Sequence, residues 1–256
     1  MVYPSTRVQS VSLLGSRLSC CSFDDILHGM AETIRNRRQG YISITNTESI
    51  YHATRIPEHQ EYINGADYSC CDGVAAVMAG KLLGLTIPRL HGPDLMDQCC
   101  TFGVALNWRH FFYGGKCGIP ELLSEKLTAR HPGMITVGTY SPPFREMTAC
   151  EDRKIINIIQ EADPDIIWVG LGLLKQERWI AEHRSLLSAG WMVGVGAAFD
   201  FHTDTVKRAP KIYRTFGLEW LYRVIFEPRM IKRNIYSAKI FPRVIRESIS
   251  RLNQNN

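Results

Sequence analysis

From about residue 40 to residue 195, short continuously apolar runs alternate with longer segments whose apolar positions recur three and four apart. The first pattern fits strands buried on both faces, the second fits amphipathic helices. Read in order, a strand is expected at 8–14 and a helix at 23–37, entered through Ser22. That helix carries Asp24 and Asp25 in its first turn and Arg35, Arg37 and Arg38 at its end, a polarity that complements the helix dipole. Gly40 stops it, and a strand follows at 41–45. Next come a helix from Glu48 to about Ile63, a strand at 68–71, and a helix opening at Asp72-Gly73 and running to Leu83.

The alternation continues with helices at 94–106, 120–130, 152–161 and 176–187. Strands stand between and after them at 109–113, 135–138, 166–170 and 191–195. The runs IIWVG and WMVGVG hold no charge, as a parallel sheet covered on both sides requires. The expected fold is α/β, a Rossmann-like and mostly parallel sheet with helices on both faces. Such sheets bind ligands beyond the carboxyl ends of their strands. After Asp200 the pattern changes. Residues 207–251 show helical spacing punctuated by Pro210, Pro228 and Pro242, which predicts two or three short helices. The domains expected are an α/β catalytic domain over 1–205 and a basic helical appendage over 206–256.

Charge sharpens that division. The whole chain of 256 residues is +5, but the segment from Lys207 to Arg251 is +9 and the remainder −4. Tyr213, Phe216, Trp220, Tyr222, Phe226, Tyr236 and Phe241 are interleaved with its cations. Cations and aromatics at helical spacing suit the surface of an anionic membrane. Two other readings are a solvated basic face with aromatics packed inward, and nucleic acid, which is ranked low because no reading motif accompanies the charge. The longest uncharged stretch, 185–199, is shorter than the ~20 apolar residues of a spanning helix. The N-terminus lacks the order of a signal peptide, so the expected location is the cytoplasm, peripheral on the inner face of the plasma membrane. Six of the eight cysteines form adjacent doublets and no C-x-x-C occurs, which favours buried thiols over a zinc site.

Glycines beside polar residues close several predicted strands: Gly114-Gly115-Lys116, then Gly170 and Gly172 ahead of Lys175-Gln176-Glu177, then Gly194 and Gly196 ahead of Asp200. Glycine lets a ligand approach the backbone, and a helix N-terminus offers free N–H groups to phosphate. Each turn singly is equally well read as a strand end. Neither G-x-G continues into the dinucleotide fingerprint, which weakens a nicotinamide dehydrogenase. Asp163-Pro-Asp165 has the form of a metal-binding D-x-D but precedes a strand, where a turn is the better reading. Asp72 and Asp94 are ambiguous between helix cap and functional carboxylate; for Asp72, spacing alone favours the cap.

The strings NTES (46–49), ADYSCCDG (66–73), HGPDLM (91–96), FYGGK (112–116), PDIIWVGLGLLKQE (164–177), GVGAAFD (194–200), VKRAP (206–210), GLEWLYR (217–223) and EPR (227–229) resemble the WecG/TagA/CpsF glycosyltransferase family, in order and spacing. Ile44, His91 and the CC before Asp72-Gly73 depart from its commoner residues. The resemblance implies inverting transfer of a sugar from a UDP-sugar to an undecaprenyl-diphosphate-linked saccharide, with no metal and no other cofactor. It implies Asp72 as general base, with Gln176 and Asn46 lining the catalytic pocket and Asp200 near the donor nucleoside. It implies Arg223, Arg229 and Arg233 as arginines reaching the diphosphates. Asp94, Gly114, Gly115, Lys116, Lys175, Lys207 and Arg208 complete the expected substrate-binding set. The donors found around the family are N-acetylmannosamine, its uronic acid, glucose and glucuronic acid. Expected partners are the donor, the polyprenyl-diphosphate acceptor and anionic inner-leaflet lipid, with a homo-oligomer left open and no nucleic acid. The alternative is a non-catalytic, membrane-associated member of a polysaccharide assembly complex.

Overall fold

The structure, a computed structural model, describes residues 9–187, 190–206 and 231–255. Its main sheet has six strands: β3 (Gln39–Thr45), β4 (Tyr68–Cys71), β5 (Arg109–Gly114), β6 (Ile135–Tyr140), β7 (Ile166–Gly170) and β8 (Gly190–Gly194). Their order is β4-β3-β8-β7-β5-β6, and the pairs β3/β8, β8/β7, β7/β5 and β5/β6 are all parallel. The flanking helices make this the expected α/β fold. The described residues gather into two compact units, one drawn from 9–22, 45–90 and 231–255, the other from 23–44, 91–187 and 190–206.

The larger unit holds α1 (Phe23–Arg35), α5 (Gly92–Val104), α6 (Ile119–Arg130), α7 (Ala149–Ala162), α8 (Lys175–His183) and α9 (Ala198–His202). A 3₁₀ turn at Arg184–Leu186 ends the helix expected to reach residue 187. Ile166, Ile167, Trp168 and Val169 are completely buried, which explains the uninterrupted apolar run of β7. Two bulky side chains find room or partners by specific means. Trp191 lies where a Cβ on Gly40 would stand 2.3 Å from its ring. Trp168 donates its indole N–H to Nδ1 of His110 at 3.1 Å. Burial lowers the His110 pKa to about 3, so its ring is neutral and free to accept.

The order of strands creates a switch point. The chain leaves β5 toward β6 on one side, and leaves β7 toward β8 on the other, while β5 and β7 are neighbours. The turns after these two strands therefore diverge at the carboxyl edge, which is where ligands enter open α/β sheets. Asp163-Pro164-Asp165 lies at the opposite edge. Asp163 ends α7 in the left-handed region (φ 41°) and pairs with Arg37 and Arg109, while Asp165 accepts the Arg109 N–H at 2.9 Å. The turn reading holds.

The smaller unit opens with an antiparallel hairpin, β1 (Ser10–Leu13) and β2 (Ser16–Ser19). The expected strand at 8–14 is thus shorter and stands outside the main sheet. Leu14 and Gly15 both have positive φ (50° and 83°), as a two-residue hairpin of the favoured hand demands. No Asn-Gly or Asp-Gly announced that turn. The single helix expected at 48–63 is two, α2 (Thr47–Ala53) and α3 (Pro57–Asn64). Pro57 holds the preceding Ile56 extended (φ −121°, ψ 96°) and breaks the run. Then come α4 (Val74–Leu82) and, at the C-terminus, α10 (Ile231–Asn255).

Helix α10 is one helix of 25 residues with Pro242 inside it, where punctuation was expected. Ile240, Val244 and Ser248 lie four apart and are buried, so packing on α2 and α4 outweighs the local cost of the proline. Ile240 and Val244 share a core with Val11, Leu13, Leu18, Ile50, Ala79 and Ile87. Tyr236 stacks on Tyr51 at 4.6 Å between centroids. Glu247 accepts the Leu14 N–H at 2.6 Å, satisfying a donor of the hairpin turn. The other helices expected within 207–230, with their aromatics, lie outside the described residues.

Candidate active site

In the larger unit the site begins with glycines at the switch point. Gly114 has φ 129°, and a Cβ there would lie 2.6 Å from the carbonyl carbon and oxygen of Gly170. Gly115, with φ 71°, donates its N–H to the Gly170 carbonyl at 3.0 Å. Only glycine allows two parallel strands to end so close together. Gly118 (φ 82°) then caps α6, and Lys116 is exposed in the turn between them.

Beyond β7, Gly172 (φ 84°) and Leu174 (φ 71°, ψ −44°) turn the chain into α8. Leu174 is a non-glycine residue in a strained region, a cost of about 1–3 kcal/mol that surrounding contacts must hold. Glu177 supplies one of them, accepting the Leu174 N–H at 2.8 Å from the third position of the helix. Lys175 is exposed, its Nζ 5.7 Å from the centroid of the Phe144 ring. Gln176 is buried and bridges to the turn after β8, accepting the Gly196 N–H at 2.9 Å and donating to Glu177 at 2.9 Å. Gly196 (φ 55°) leads into α9, whose first turn carries the half-buried Asp200.

Helix α5 arrives at the same edge. A Cβ on Gly92 would lie 3.0 Å from the Val195 carbonyl, just past the end of β8. Asp94 stands in the first turn of α5, where the helix dipole favours a carboxylate, while His91 occupies the cap position. The structure therefore brings Gly114, Gly115, Lys116, Asp94, Lys175, Gln176 and Asp200 to turns and helix starts along one edge of this unit.

In the smaller unit, Asp72 lies between β4 and α4, about a quarter exposed. Gly73 occupies the cap position of α4, so Asp72 stands one residue before the cap. Its backbone N–H donates to Thr45 at 3.0 Å, and its carboxylate lies 3.6 Å from the Arg89 guanidinium. Arg89 is held there because Leu90 donates its N–H to the Cys71 carbonyl at 2.7 Å. Asn46 caps α2 through Oδ1, which accepts the Ser49 N–H at 2.9 Å; its Nδ2 remains the donor end of the amide. A Cβ on Gly73 would come within 2.7 Å of Thr47 Oγ1, so the Asn46-Thr47 corner and the Asp72-Gly73 corner are in contact. A carboxylate at a strand end and about a quarter open to solvent is within reach of an acceptor hydroxyl.

The sequence matches a known family. The family model described as "Glycosyl transferase WecG/TagA/CpsF family" matches residues 11–254. The chain belongs to that family. It is also 30% identical over 207 residues to an N-acetylglucosaminyldiphosphoundecaprenol N-acetyl-beta-D-mannosaminyltransferase of Bacillus spizizenii, covering 80% of this chain and 79% of that protein. The enzyme of the same name from Staphylococcus aureus strain MRSA252 is 30% identical over 202 residues, 78% of this chain and 77% of its own. As a member of that family the chain is a glycosyltransferase.

Two residues important to this geometry were not singled out by the sequence. Arg89 is 17 positions from Asp72 in sequence, and the Leu90–Cys71 bond brings the two together. Glu177 did leave a signal, a glutamate at the third helical position reaching back to the cap residue. Lys207, Arg208, Arg223 and Arg229 lie outside the described residues, and Arg233 is described only as part of the α10 backbone.

Proposed function

We propose that this glycosyltransferase moves a sugar, with inversion, from a UDP-sugar to a polyprenyl-diphosphate-linked saccharide, with Asp72 as the general base. The observation carrying the assignment is that Asp72 stands at the end of β4, about a quarter exposed, one residue before the cap of α4 and beside Arg89. Inverting transfer is a single displacement. It needs one base for the acceptor hydroxyl and one stabilised leaving group. Asp72 takes the hydroxyl proton as that oxygen forms the new glycosidic bond, and the bond to the UDP β-phosphate oxygen breaks. The leaving charge is met by N–H groups at the starts of α6 and α8 and by Lys116 and Lys175. Asn46 offers its Nδ2 to the sugars, Asp94 and Asp200 accept hydroxyls, and Lys207, Arg208, Arg223, Arg229 and Arg233 serve the diphosphates. The family resemblance implies that no metal is required.

Of the four donors, N-acetylmannosamine is supported by the names of the two relatives. We further assign residues 1–205 to catalysis and 206–256 to peripheral attachment at the inner face of the plasma membrane. In support, α10 exposes Ile235 and Ile249 beside Lys239, Arg243 and Arg246, and no described helix is long and apolar enough to cross a membrane. The decisive experiment is Asp72→Asn assayed with a panel of UDP-sugars and a short polyprenyl-diphosphate acceptor. The variant should melt like the parent and lose transfer by roughly 10²–10⁴-fold, the usual contribution of a positioned base. A fully active variant sinks the assignment.

A further inference from the structure

The amide of Gln176 is committed at both ends, and its neighbours fix which end is which. A backbone N–H can only donate, so the atom facing Gly196 at 2.9 Å is the amide oxygen. The amide nitrogen then faces Glu177 Oε1 at 2.9 Å. The side chain lies over a glycine because nothing larger fits: a Cβ on Gly194 would stand 3.0 Å from the Gln176 nitrogen. Glu177 itself is completely buried, and its other oxygen accepts the N–H of the strained Leu174 at 2.8 Å. One carboxylate thus ties the start of α8 to the turn after β8, through a residue whose own oxygen is already used.

We propose that Glu177 is a positioning residue for transfer: its carboxylate holds the Gln176 amide in the one orientation that clamps Gly196, and so sets the turn between β8 and α9. This rests on the glycosyltransferase reading with Gln176 at the substrate. Gln176 then has one N–H left to offer substrate, and its oxygen is already engaged by Gly196. Protonation would turn one of the two acceptor oxygens into an O–H, leaving Leu174 or Gln176 with a poorer partner. Burial raises the Glu177 pKa to about 7, against the lowering effect of the Gln176 and Leu174 bonds. Tyr41 on β3 faces the same carboxylate, with Arg184 acting on that phenol. Burial keeps the Tyr41 hydroxyl protonated well above neutrality, so it does not titrate in this range. Transfer should therefore rise with pH through about 7 as Glu177 ionises.

Two measurements test this on the full chain. The first begins with the parent: the Gln176 side-chain amide and the Gly196 N–H are followed by NMR from pH 5.5 to 8.5. Both should titrate together near 7, and Gly196 should exchange faster on the acid side. Signals that do not move across that range refute the titration, and Gln176 and Gly196 signals that Glu177→Gln leaves unchanged overturn the proposal. The second compares pH profiles of transfer for the parent, Glu177→Gln and Glu177→Asp. The Gln variant can accept only one of the two N–H groups, and should lose about 10–100-fold in kcat, as supporting partners typically do. Its acid limb near 7 should vanish, while Glu177→Asp keeps a limb. An unchanged limb in Glu177→Gln refutes the assignment. If the parent transfers no sugar from any donor, the function reading fails instead, and the NMR comparison still decides whether Glu177 positions Gln176.

Discussion

Burying Glu177 has a thermodynamic consequence separate from its effect on turnover. Its folded pKa of about 7 lies above the usual 4.5, so the folded state resists ionisation. The stability it allows is fully present below pH 4.5 and is lost as pH rises through 7, by about 3 kcal/mol in all. His59 and His110 act in the opposite sense. Burial lowers them to about 4 and about 3, so their stability is present above 6.5 and lost on acidification. Denaturant titrations of parent and Glu177→Gln should therefore diverge between pH 5 and 8, the parent losing stability relative to the variant as pH rises. A constant difference across that range would show that Glu177 does not titrate there. Residues of this kind mark the limit of sequence reading. Glu177 was visible within its motif, but its burial and its hold on Gln176 required the turn after β8, twenty positions away. Asp72 was visible as a carboxylate at a strand end, and only the structure put Gly73 at the cap position with Asp72 one residue before it.

The elements were legible wherever one pattern dominated. The apolar runs of β7 and β8 announced a covered parallel sheet, and the structure gives one. Two elements were misread because a local signal competed with a tertiary one. Pro57 divides an amphipathic run that looked continuous, whereas Pro242 fails to divide α10 because Ile240, Val244 and Ser248 bury one face. Pro242 removes the N–H that Ala238 would have accepted and costs a helix interior about 3 kcal/mol. Its rigidity in the unfolded chain returns up to about 1 kcal/mol. Pro242→Ala should thus raise the melting temperature by an amount equivalent to about 2–3 kcal/mol, read by calorimetry. The glycine turns make a sharper case. Gly114→Ala places a methyl 2.6 Å from Gly170 backbone at φ 129°, and should cost more than about 3 kcal/mol or prevent folding. Gly118→Ala also has a positive φ, 82° and closer to the left-handed helical region, with nothing within 4 Å, and should cost only about 1 kcal/mol. Equal losses in the two variants would refute the view that close approach of β5 and β7 is the constraint.

At the scale of the whole molecule, charge and apolar surface coincide on α10. One stripe of the helix is buried, and another carries exposed Ile235 and Ile249 with partly buried Phe241 and Ile245. Lys239, Arg243 and Arg246 flank it and are exposed. An apolar stripe alone would suit any hydrophobic partner. Cations beside it select an anionic one, and a polyprenyl-linked acceptor resides in a membrane whose cytoplasmic face is anionic. Each such cation contributes about 1 kcal/mol near an anionic lipid surface and falls off within a Debye length. Reversing three of them should weaken attachment by at least about a hundredfold, since 1.4 kcal/mol is a factor of ten. In co-sedimentation, the parent should bind vesicles containing phosphatidylglycerol at low salt, bind pure phosphatidylcholine vesicles far less, and be released by raised salt. The triple variant Lys239→Glu, Arg243→Glu, Arg246→Glu should stay in the supernatant. It should still turn over a short, water-soluble acceptor, because none of the three side chains is assigned to the chemistry. Equal binding to both kinds of vesicle would mean that apolar contact alone attaches the protein. A triple variant that binds like the parent would place the attachment elsewhere in the chain.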